Sequence, residues 1–160
     1  MNTILGIDQS YTKCAWVFLK DNKLEDFGVI SSNKNEDIFS RALFVSREIG
    51  NVYSKCVPSI VHFEGLAFNM KGNRTRDLAG LQFAIVTYML NLDAVNFEYK
   101  IISPKSVKSF ATHGQAQKIE MIDALPKNVK KKFEDKNYKK TTGLADLADA
   151  YWIAAYKDNT

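Results

Sequence analysis

Two short apolar runs, each ending in an acidic residue, constrain the fold of this chain more than any other feature. Ile4-Leu5-Gly6-Ile7 leads into Asp8, and Ile60-Val61-His62-Phe63 leads into Glu64. Runs of this length and composition are typical of buried strands. A carboxylate at the edge of a core costs several kcal/mol to desolvate unless it is paired or bound to a metal ion. Either acid taken alone is explained as a turn residue whose side chain hydrogen-bonds to its own backbone. The indication of a functional site is therefore that both strands end in an acid.

A second pair of acids, Asp146 and Asp149, lies in a segment with helical spacing near the end of the sequence. A separation of three residues places both on one helix face. The helix dipole stabilises an acid near the start of a helix by roughly 0.3–1 kcal/mol, which explains Asp146 and Asp149. It does not explain acids at two strand ends. Together, Asp8, Glu64, Asp146 and Asp149 predict a catalytic cluster that binds Mg²⁺, with Mn²⁺ as a substitute, because these hard ions select oxygen ligands. Two such ions roughly 3.5–4 Å apart activate water and stabilise the leaving oxygen in phosphodiester hydrolysis.

Composition narrows the class of protein. The 160 residues, 46% of them hydrophobic, suit one domain spanning residues 1–160. The longest apolar runs are far shorter than the ~18 residues of a membrane span, and Met1-Asn2-Thr3 lacks the basic start of a signal peptide. Two cysteines outside any CxxC motif suit a reducing, cytoplasmic compartment. The net charge of +4 is compatible with a polyanionic partner, and the sequence lacks the P-loop, HExxH and GxSxG motifs of other enzyme classes.

The order of predicted elements indicates an α/β domain with a mixed sheet, because strands come first and then alternate with helices. The predicted strands are Thr3 to Asp8, Cys14 to Lys20, Leu24 to Ile30, Ile60 to Glu64 and Tyr99 to Ile102. The predicted helices are Glu36 to Tyr53, Thr75 to Leu90, one beginning at Ser103-Pro104, Gln115 to Leu125, and Thr142 to about Tyr156 with Thr142 as its cap. The lysine-rich segment from Lys127 to Lys140 is interpreted as a disordered insert.

Basic residues cluster beside each acid-bearing element. The first two groups are Lys71, Arg74 and Arg76 after Glu64, and Lys105, Lys108 and Lys118 after the last strand; seven further lysines lie between Lys127 and Lys140. A solvated surface is the alternative for each group, but their positions favour contacts with DNA phosphates. Phe68 lies in a glycine-flanked loop among the first group, where it either stacks on bases or packs into the core.

Several of these motifs occur together in a known order. They are Gly6-Ile7-Asp8, Ala67-Phe68-Asn69 after Glu64, Val107-Lys108 with Gly114, Ala116 and Lys118, and Ala145-Asp146-Leu147-Ala148-Asp149-Ala150. In this order the chain resembles the RuvC family of Holliday junction resolvases over almost its whole length. The resemblance implies an RNase H-like fold with a five-stranded mixed sheet flanked by helices, a homodimer, dependence on Mg²⁺, and paired nicking of four-way DNA junctions as a crossover junction endodeoxyribonuclease.

The resemblance also implies roles for single residues. Asp8, Glu64, Asp146 and Asp149 match the family's catalytic carboxylates, Lys108 and Lys118 match its DNA-contacting lysines, and Phe68 matches the aromatic residue at the junction centre. Gln9-Ser10 stands where the family often has Pro-Gly, which is interpreted as the mark of a divergent member. If the source is viral, the protein acts in the host cytoplasm. Two alternatives stay open: an RNase H-like nuclease for flaps, forks or RNA–DNA hybrids, and a junction-binding protein without catalysis.

Overall fold

The computed structural model describes residues 2–66, 72–93 and 97–158, apart from the side chain of Arg74. Its elements are β1 (Thr3–Asp8), β2 (Cys14–Lys20), β3 (Lys23–Ile30), α1 (Ile38–Cys56), β4 (Ile60–Glu64), α2 (Asn73–Leu92), β5 (Tyr99–Ile102), α3 (Pro104–Ala111), α4 (Lys118–Asp123), α5 (Lys127–Asp135) and α6 (Leu144–Ala155). The predicted strands agree with these bounds to within one residue. Asp37 caps α1 by accepting from the main-chain N–H groups of Phe39 and Ser40, which moves the start of α1 two residues beyond the predicted Glu36.

The five strands form one mixed sheet in the order β3-β2-β1-β4-β5. β2 pairs antiparallel with both β1 and β3, whereas β1, β4 and β5 run parallel to one another. This is the predicted mixed sheet and the RNase H-like arrangement, so that expectation is confirmed. Because β1 and β4 are parallel neighbours, their carboxyl ends, Asp8 and Glu64, lie at the same edge of the sheet.

Helices cover both faces of the sheet, as the continuous apolar character of β1 and β4 requires. On one face, Leu5, Ile7 and Phe63 pack with Ile49 of α1 and Ile85 of α2. On the other face, α4, α5 and α6 bury a second cluster that includes Ile4 of β1, Val17 of β2, Ile122, Phe133 and Leu147. The acids of α6 therefore belong to the second face.

Gly6 permits the close approach of α6 to β1. A Cβ atom at Gly6 would lie 2.5 Å from the main-chain oxygen of Ala150 and 2.5 Å from the main-chain nitrogen of Ala154. Contacts that short do not occur between real atoms, so only glycine fits between the strand and the helix backbone. The residue therefore sets how closely α6 approaches the strand that ends in Asp8.

The interpretation of Lys127 to Lys140 as a disordered insert is wrong. Residues Lys127–Asp135 form α5, which buries Val129 and Phe133 four residues apart on one side. The ring of Phe133 meets that of Phe27 edge to face, with centroids 4.7 Å apart. Tyr138, beyond the helix, packs against Phe27 as well. Three of the four lysines of α5, namely Lys127, Lys131 and Lys132, are exposed, so apolar residues at helical spacing dock the segment while most of its charge stays in solvent.

The prediction that Thr142 caps the last helix is also wrong. Gly143 occupies that position with φ +119°, in the left-handed region that favours glycine. The Oγ1 atom of Thr142 instead accepts from the main-chain N–H of Lys139 at 2.7 Å. Thr142 thus closes the turn that precedes α6 rather than starting the helix.

Over the ranges that the structure describes, none of the helices has the length and apolar character that crossing a bilayer demands.

Candidate active site

The four predicted catalytic acids line one cleft of about 650 Å³ at the carboxyl edge of β1 and β4. Strand geometry explains why they meet. Successive side chains alternate between the two faces of a sheet, so Asp8 shares a face with Gly6, against which α6 packs. By the same alternation Glu64 shares a face with His62, whose ring Nδ1 lies 3.0 Å from the Ile153 carbonyl of α6. Both strand-end acids therefore lie on the α6 side of the sheet.

α6 supplies the other two acids from its amino-terminal half. Asp146 lies in the first turn, and Asp149 follows on the same face one turn later. The positive end of the helix dipole favours negative charge at this position. The side chain of Asp146 is 21% exposed, and its Oδ1 lies 3.9 Å from the Nζ atom of Lys118. Stabilisation of these acids by the helix dipole is thus compatible with a role in binding a metal ion, because both require the acids to lie near the start of the helix.

The electrostatics of the cleft disfavour the charged form of its carboxylates. Burial, followed by the negative charges of Asp149, Glu64 and Asp146, raises the pKa of Asp8 well above its usual value. Burial and then Asp149 raise the pKa of Glu64 to about 7, although Lys108 and Lys118 act in the opposite direction. Burial raises the pKa of Asp149 to about 6 against the opposing effect of Lys118. Carboxylates whose charged form is disfavoured in this way are strongly stabilised by a positive charge bound among them.

The chemistry of these side chains fits a hard divalent cation. All four groups are carboxylates, which Mg²⁺ and Mn²⁺ prefer, and their mutual repulsion is relieved by a bound cation. Within residues 2–66, 72–93 and 97–158, no three acidic, histidine or cysteine side chains, as they stand, lie close enough together to hold a metal ion. The acids are therefore an open cluster around a cleft rather than a closed cage.

Two glutamines that the sequence interpretation did not assign to the site hold Glu64 in place. The Nε2 atoms of Gln9 and Gln82 donate to the main-chain carbonyl of Glu64 at 2.6 and 2.9 Å. The next residue, Gly65, donates its main-chain N–H to the carbonyl of Ile102 at 2.7 Å. These bonds fix the backbone at the end of β4 and leave the Glu64 side chain directed by its strand position. The Oε1 atom of Gln9 is buried and makes no hydrogen bond within the described residues.

The predicted DNA-contacting residues fall into three groups. Lys108 and Lys118 line the cleft with the acids. Lys105 borders a separate hollow beside Phe110 and Tyr156, and Arg76 lies at the groove between α1 and α2, where it pairs with Asp77 at 3.5 Å. Phe68 and Lys71 lie outside the described residues, as does the side chain of Arg74. The cleft thus contains two of the seven, and the roles of all seven stay predictions.

The buried His62 is part of the core. Its Nδ1–H donates to the Ile153 carbonyl at 3.0 Å, and burial lowers its pKa. Neither it nor His113, which lies 2.9 Å from Glu120, borders the cleft. The cleft chemistry within the described residues therefore depends on carboxylates and lysines.

Comparison with known proteins gives relatives in both sequence and structure. No family model matches the sequence. A curated protein, crossover junction endodeoxyribonuclease RuvC of Brachyspira hyodysenteriae (strain ATCC 49526 / WA1), is 29% identical over 124 residues, covering 74% of this chain and 75% of that protein. T. thermophilus RuvC, solved in complex with a Holliday junction substrate, has a TM-score of 0.71 at 16% identity, over 96% of this chain and 90% of that one. Fowlpox virus resolvase, solved with substrate Holliday junction DNA, has a TM-score of 0.59 at 16% identity, over 96% and 94% of the two chains.

Proposed function

We propose that this chain, which belongs to the RuvC family of Holliday junction resolvases, is a crossover junction endodeoxyribonuclease that nicks four-way DNA junctions with the help of Mg²⁺. One observation carries the proposal: four carboxylates from β1, β4 and α6 share a single cleft with two lysines. Acids alone would repel a DNA strand. Acids that hold a divalent cation beside two lysines attract a DNA strand.

Asp8, Glu64, Asp146 and Asp149 are the residues that would hold the ions. A bound pair of Mg²⁺ ions supplies a nucleophilic water and stabilises the departing 3′ oxygen. The open arrangement of the acids suits this role, because ligands of Mg²⁺ usually leave positions for water and substrate phosphate. The hydrogen bonds of Gln9 and Gln82 to the main-chain carbonyl of Glu64 would keep that ligand in position.

Lys108 and Lys118 would bind the phosphates on either side of the scissile bond. The side chain of Lys118 is 72% exposed, so it can leave Asp146 and reach a phosphate oxygen. Lysine acts here as a movable positive charge that neutralises backbone phosphates. Its position over the acids also orients the incoming strand toward the cleft.

The proposed enzyme acts as a homodimer, because a four-way junction has two equivalent strands to cut and a two-fold enzyme presents two equivalent sites. The helix α2 has one face buried in the core and one face exposed. Leu81, Ile85 and Met89 are buried in the core, whereas Phe83 is 78% exposed. Phe83 borders a groove of about 1000 Å³ between α1 and α2 that also contains Phe39 and Leu43.

This apolar groove is our candidate for the dimer interface. Phe39 and Phe83 are 82% and 78% exposed and Leu43 is 55% exposed, and large exposed apolar patches on soluble chains mark sites of association. The two-fold symmetry of the substrate favours a second copy of this chain as the occupant.

The test compares substrates and two variants. Radiolabelled four-way junction, flap, linear duplex and RNA–DNA hybrid are incubated with the protein, with and without Mg²⁺. We expect paired nicks at opposed positions in the junction, only with Mg²⁺, and no cleavage by Asp8→Asn, which keeps its junction binding. Asp21→Asn is the matched control, because Asp21 lies in the hairpin turn between β2 and β3 with φ +48°, a conformation that asparagine tolerates.

Each alternative has its own outcome in this experiment. Preferential cleavage of the flap or hybrid would assign the protein to another substrate of the same chemistry. Binding of the junction with no Mg²⁺-dependent cleavage would identify a binding protein without catalysis. Normal nicking by Asp8→Asn would overturn the assignment of the cleft as the active site.

A further inference from the structure

The turn before α6 carries exposed positive charge that the proposed mechanism does not use. Lys139 and Lys140 are exposed, and Lys13 lies beside them, half-buried; we call these three residues the basic shoulder. We propose that the basic shoulder is a second phosphate-binding surface, which holds the backbone of a duplex arm on the side of the cleft away from Lys108. This inference rests on the proposed function, because it assigns part of the same DNA substrate to a further surface.

Hydrogen bonds hold the turn in one conformation. The main-chain carbonyl of Lys139 accepts from the N–H groups of Thr142 and Leu144 at 2.9 and 3.1 Å, and the Lys139 N–H donates to the Thr142 hydroxyl at 2.7 Å. Gly143 completes the turn with its left-handed φ of +119°. The backbone under both exposed lysines is thus ordered, and this lowers the entropy lost when a ligand binds their side chains.

The basic shoulder lies at the same edge of the sheet as the acids. Lys13 immediately precedes Cys14, the first residue of β2, which pairs antiparallel with β1 and so begins where β1 ends. The Nζ atom of Lys13 donates to the carbonyl of Thr141 at 3.0 Å, which ties the turn to this edge. On its other side the turn meets β3, since a Cβ atom at Gly143 would lie 3.2 Å from Val29.

The sheet order places the acids between two basic regions. Two of the cleft acids, Asp8 and Glu64, end β1 and β4 at the centre of the sheet, and Lys108 follows β5 at one end of the order β3-β2-β1-β4-β5. The basic shoulder packs beside β2 and β3 at the other end. A duplex whose scissile phosphate enters the cleft therefore passes lysines on both sides, and a duplex contacts a protein at several phosphates at once.

The lysines of this region differ in what they already bind. Lys130 lies 3.3 Å from Asp123, and Lys132 donates to the Leu24 carbonyl at 3.0 Å. Neither Lys139 nor Lys140 has an acidic side chain within ion-pair distance in the part of the chain that the structure describes. Free ammonium groups on an ordered turn are the usual means of neutralising backbone phosphates without reading sequence.

The experiment measures how the DNA affinity of the full chain depends on salt. Binding of a fluorescent four-way junction and of a linear duplex is followed by anisotropy in EDTA between 50 and 200 mM NaCl, for the wild type, Lys139→Ala/Lys140→Ala and Lys139→Arg/Lys140→Arg. The matched control is Lys20→Ala/Lys23→Ala, which removes the same charge from the paired ends of β2 and β3 at the opposite edge of the sheet. Melting temperatures confirm that each variant is folded.

We expect the shoulder alanine variant to lower the slope of log affinity against log salt by about 2, at roughly 0.9 for each lost phosphate contact. Over this salt range the wild type should then lose about tenfold more affinity than the variant. The arginine variant should keep the wild-type slope, because it keeps the charge.

The outcomes separate this inference from the proposed function. An unchanged slope in the shoulder alanine variant, or an equal loss in the control variant, overturns the inference while junction cleavage by the wild type stands. A lowered slope on the plain duplex together with a wild type that does not cut junctions supports the surface and overturns the proposed function.

Discussion

Replacing Glu64 by glutamine should stabilise the metal-free protein at neutral pH and abolish cleavage. The pKa of Glu64 is about 7 in the folded protein, against an ordinary value of 4.5. The unfolded chain therefore releases this proton at a lower pH than the folded chain does. The contribution of Glu64 to the free energy of unfolding is unaffected below pH 4.5, falls between pH 4.5 and 7, and stays low above pH 7.

The size of the effect follows from the same two values. Each pKa unit corresponds to about 1.4 kcal/mol, so ionised Glu64 destabilises the metal-free fold by on the order of 3 kcal/mol above pH 7. A neutral glutamine avoids that cost. In a chain of this length about 3 kcal/mol corresponds to roughly 6 to 12 °C in melting temperature. The main-chain bonds from Gln9 and Gln82 to residue 64 do not depend on its side chain, so the backbone anchor survives the substitution.

Urea unfolding in EDTA at pH 4.5 and pH 8 measures the effect, with Glu25→Gln, an exposed position on β3, as the control. We expect the Glu64→Gln advantage at pH 8 to disappear at pH 4.5. Millimolar Mg²⁺ should stabilise the wild type far more than the variant, because the variant lacks one ligand. A glutamine variant that is less stable than the wild type at pH 8 in EDTA, or whose difference from it is the same at both pH values, would refute the reasoning.

Three further outcomes are expected. Lys108→Ala/Lys118→Ala should lower the salt slope of junction binding by roughly 2 with little change in melting temperature; an unchanged slope and cleavage rate would mean that both lysines are only solvated. Phe83→Asp should convert a dimer to a monomer in sedimentation at working concentration, since it places a charge in the apolar groove; a dimer of unchanged affinity would exclude that groove as the interface. Gly6→Ala should destabilise the fold by several kcal/mol in urea unfolding, because its methyl group would meet the α6 backbone at 2.5 Å; a fully stable variant would show that α6 can move away from β1 at little cost.

Much of the fold could be predicted because its signals are local. The apolar runs before Asp8 and Glu64 are buried strands, and the alternation of side chains along a strand decides which face the acids occupy. Asp146 and Asp149 could be placed on one face because three-residue spacing is a property of any helix. Strand and helix geometry thus places Asp8 and Glu64 at strand ends and Asp146 with Asp149 on one helix face. The pairing of β1 with β4 and the contact of α6 with Gly6 then join the four in one cleft.

The errors arose where tertiary contacts decide the structure. The two buried residues of α5, Val129 and Phe133, gave too weak a pattern against the charge of the segment. The helix docks because both side chains join the buried cluster on this face of the sheet, which only the fold brings together. The bonds from Gln9 and Gln82 to the main chain at Glu64 join residues far apart in sequence. An amide that serves a distant carbonyl leaves no periodic signal, so the support of Glu64 could not be predicted.

The packing of α6 across Gly6 has a consequence for how the protein is made. One of the acids belongs to the first strand of the fold and two belong to its last helix, and contacts between parts so distant along the chain form late because loop closure costs entropy. A ribosome-bound chain that has not yet released α6 has Asp8 and Glu64 without their partners. The cleft is therefore assembled only after nearly the whole described sequence has been synthesised, and under the proposed function a chain that still lacks α6 cannot nick DNA.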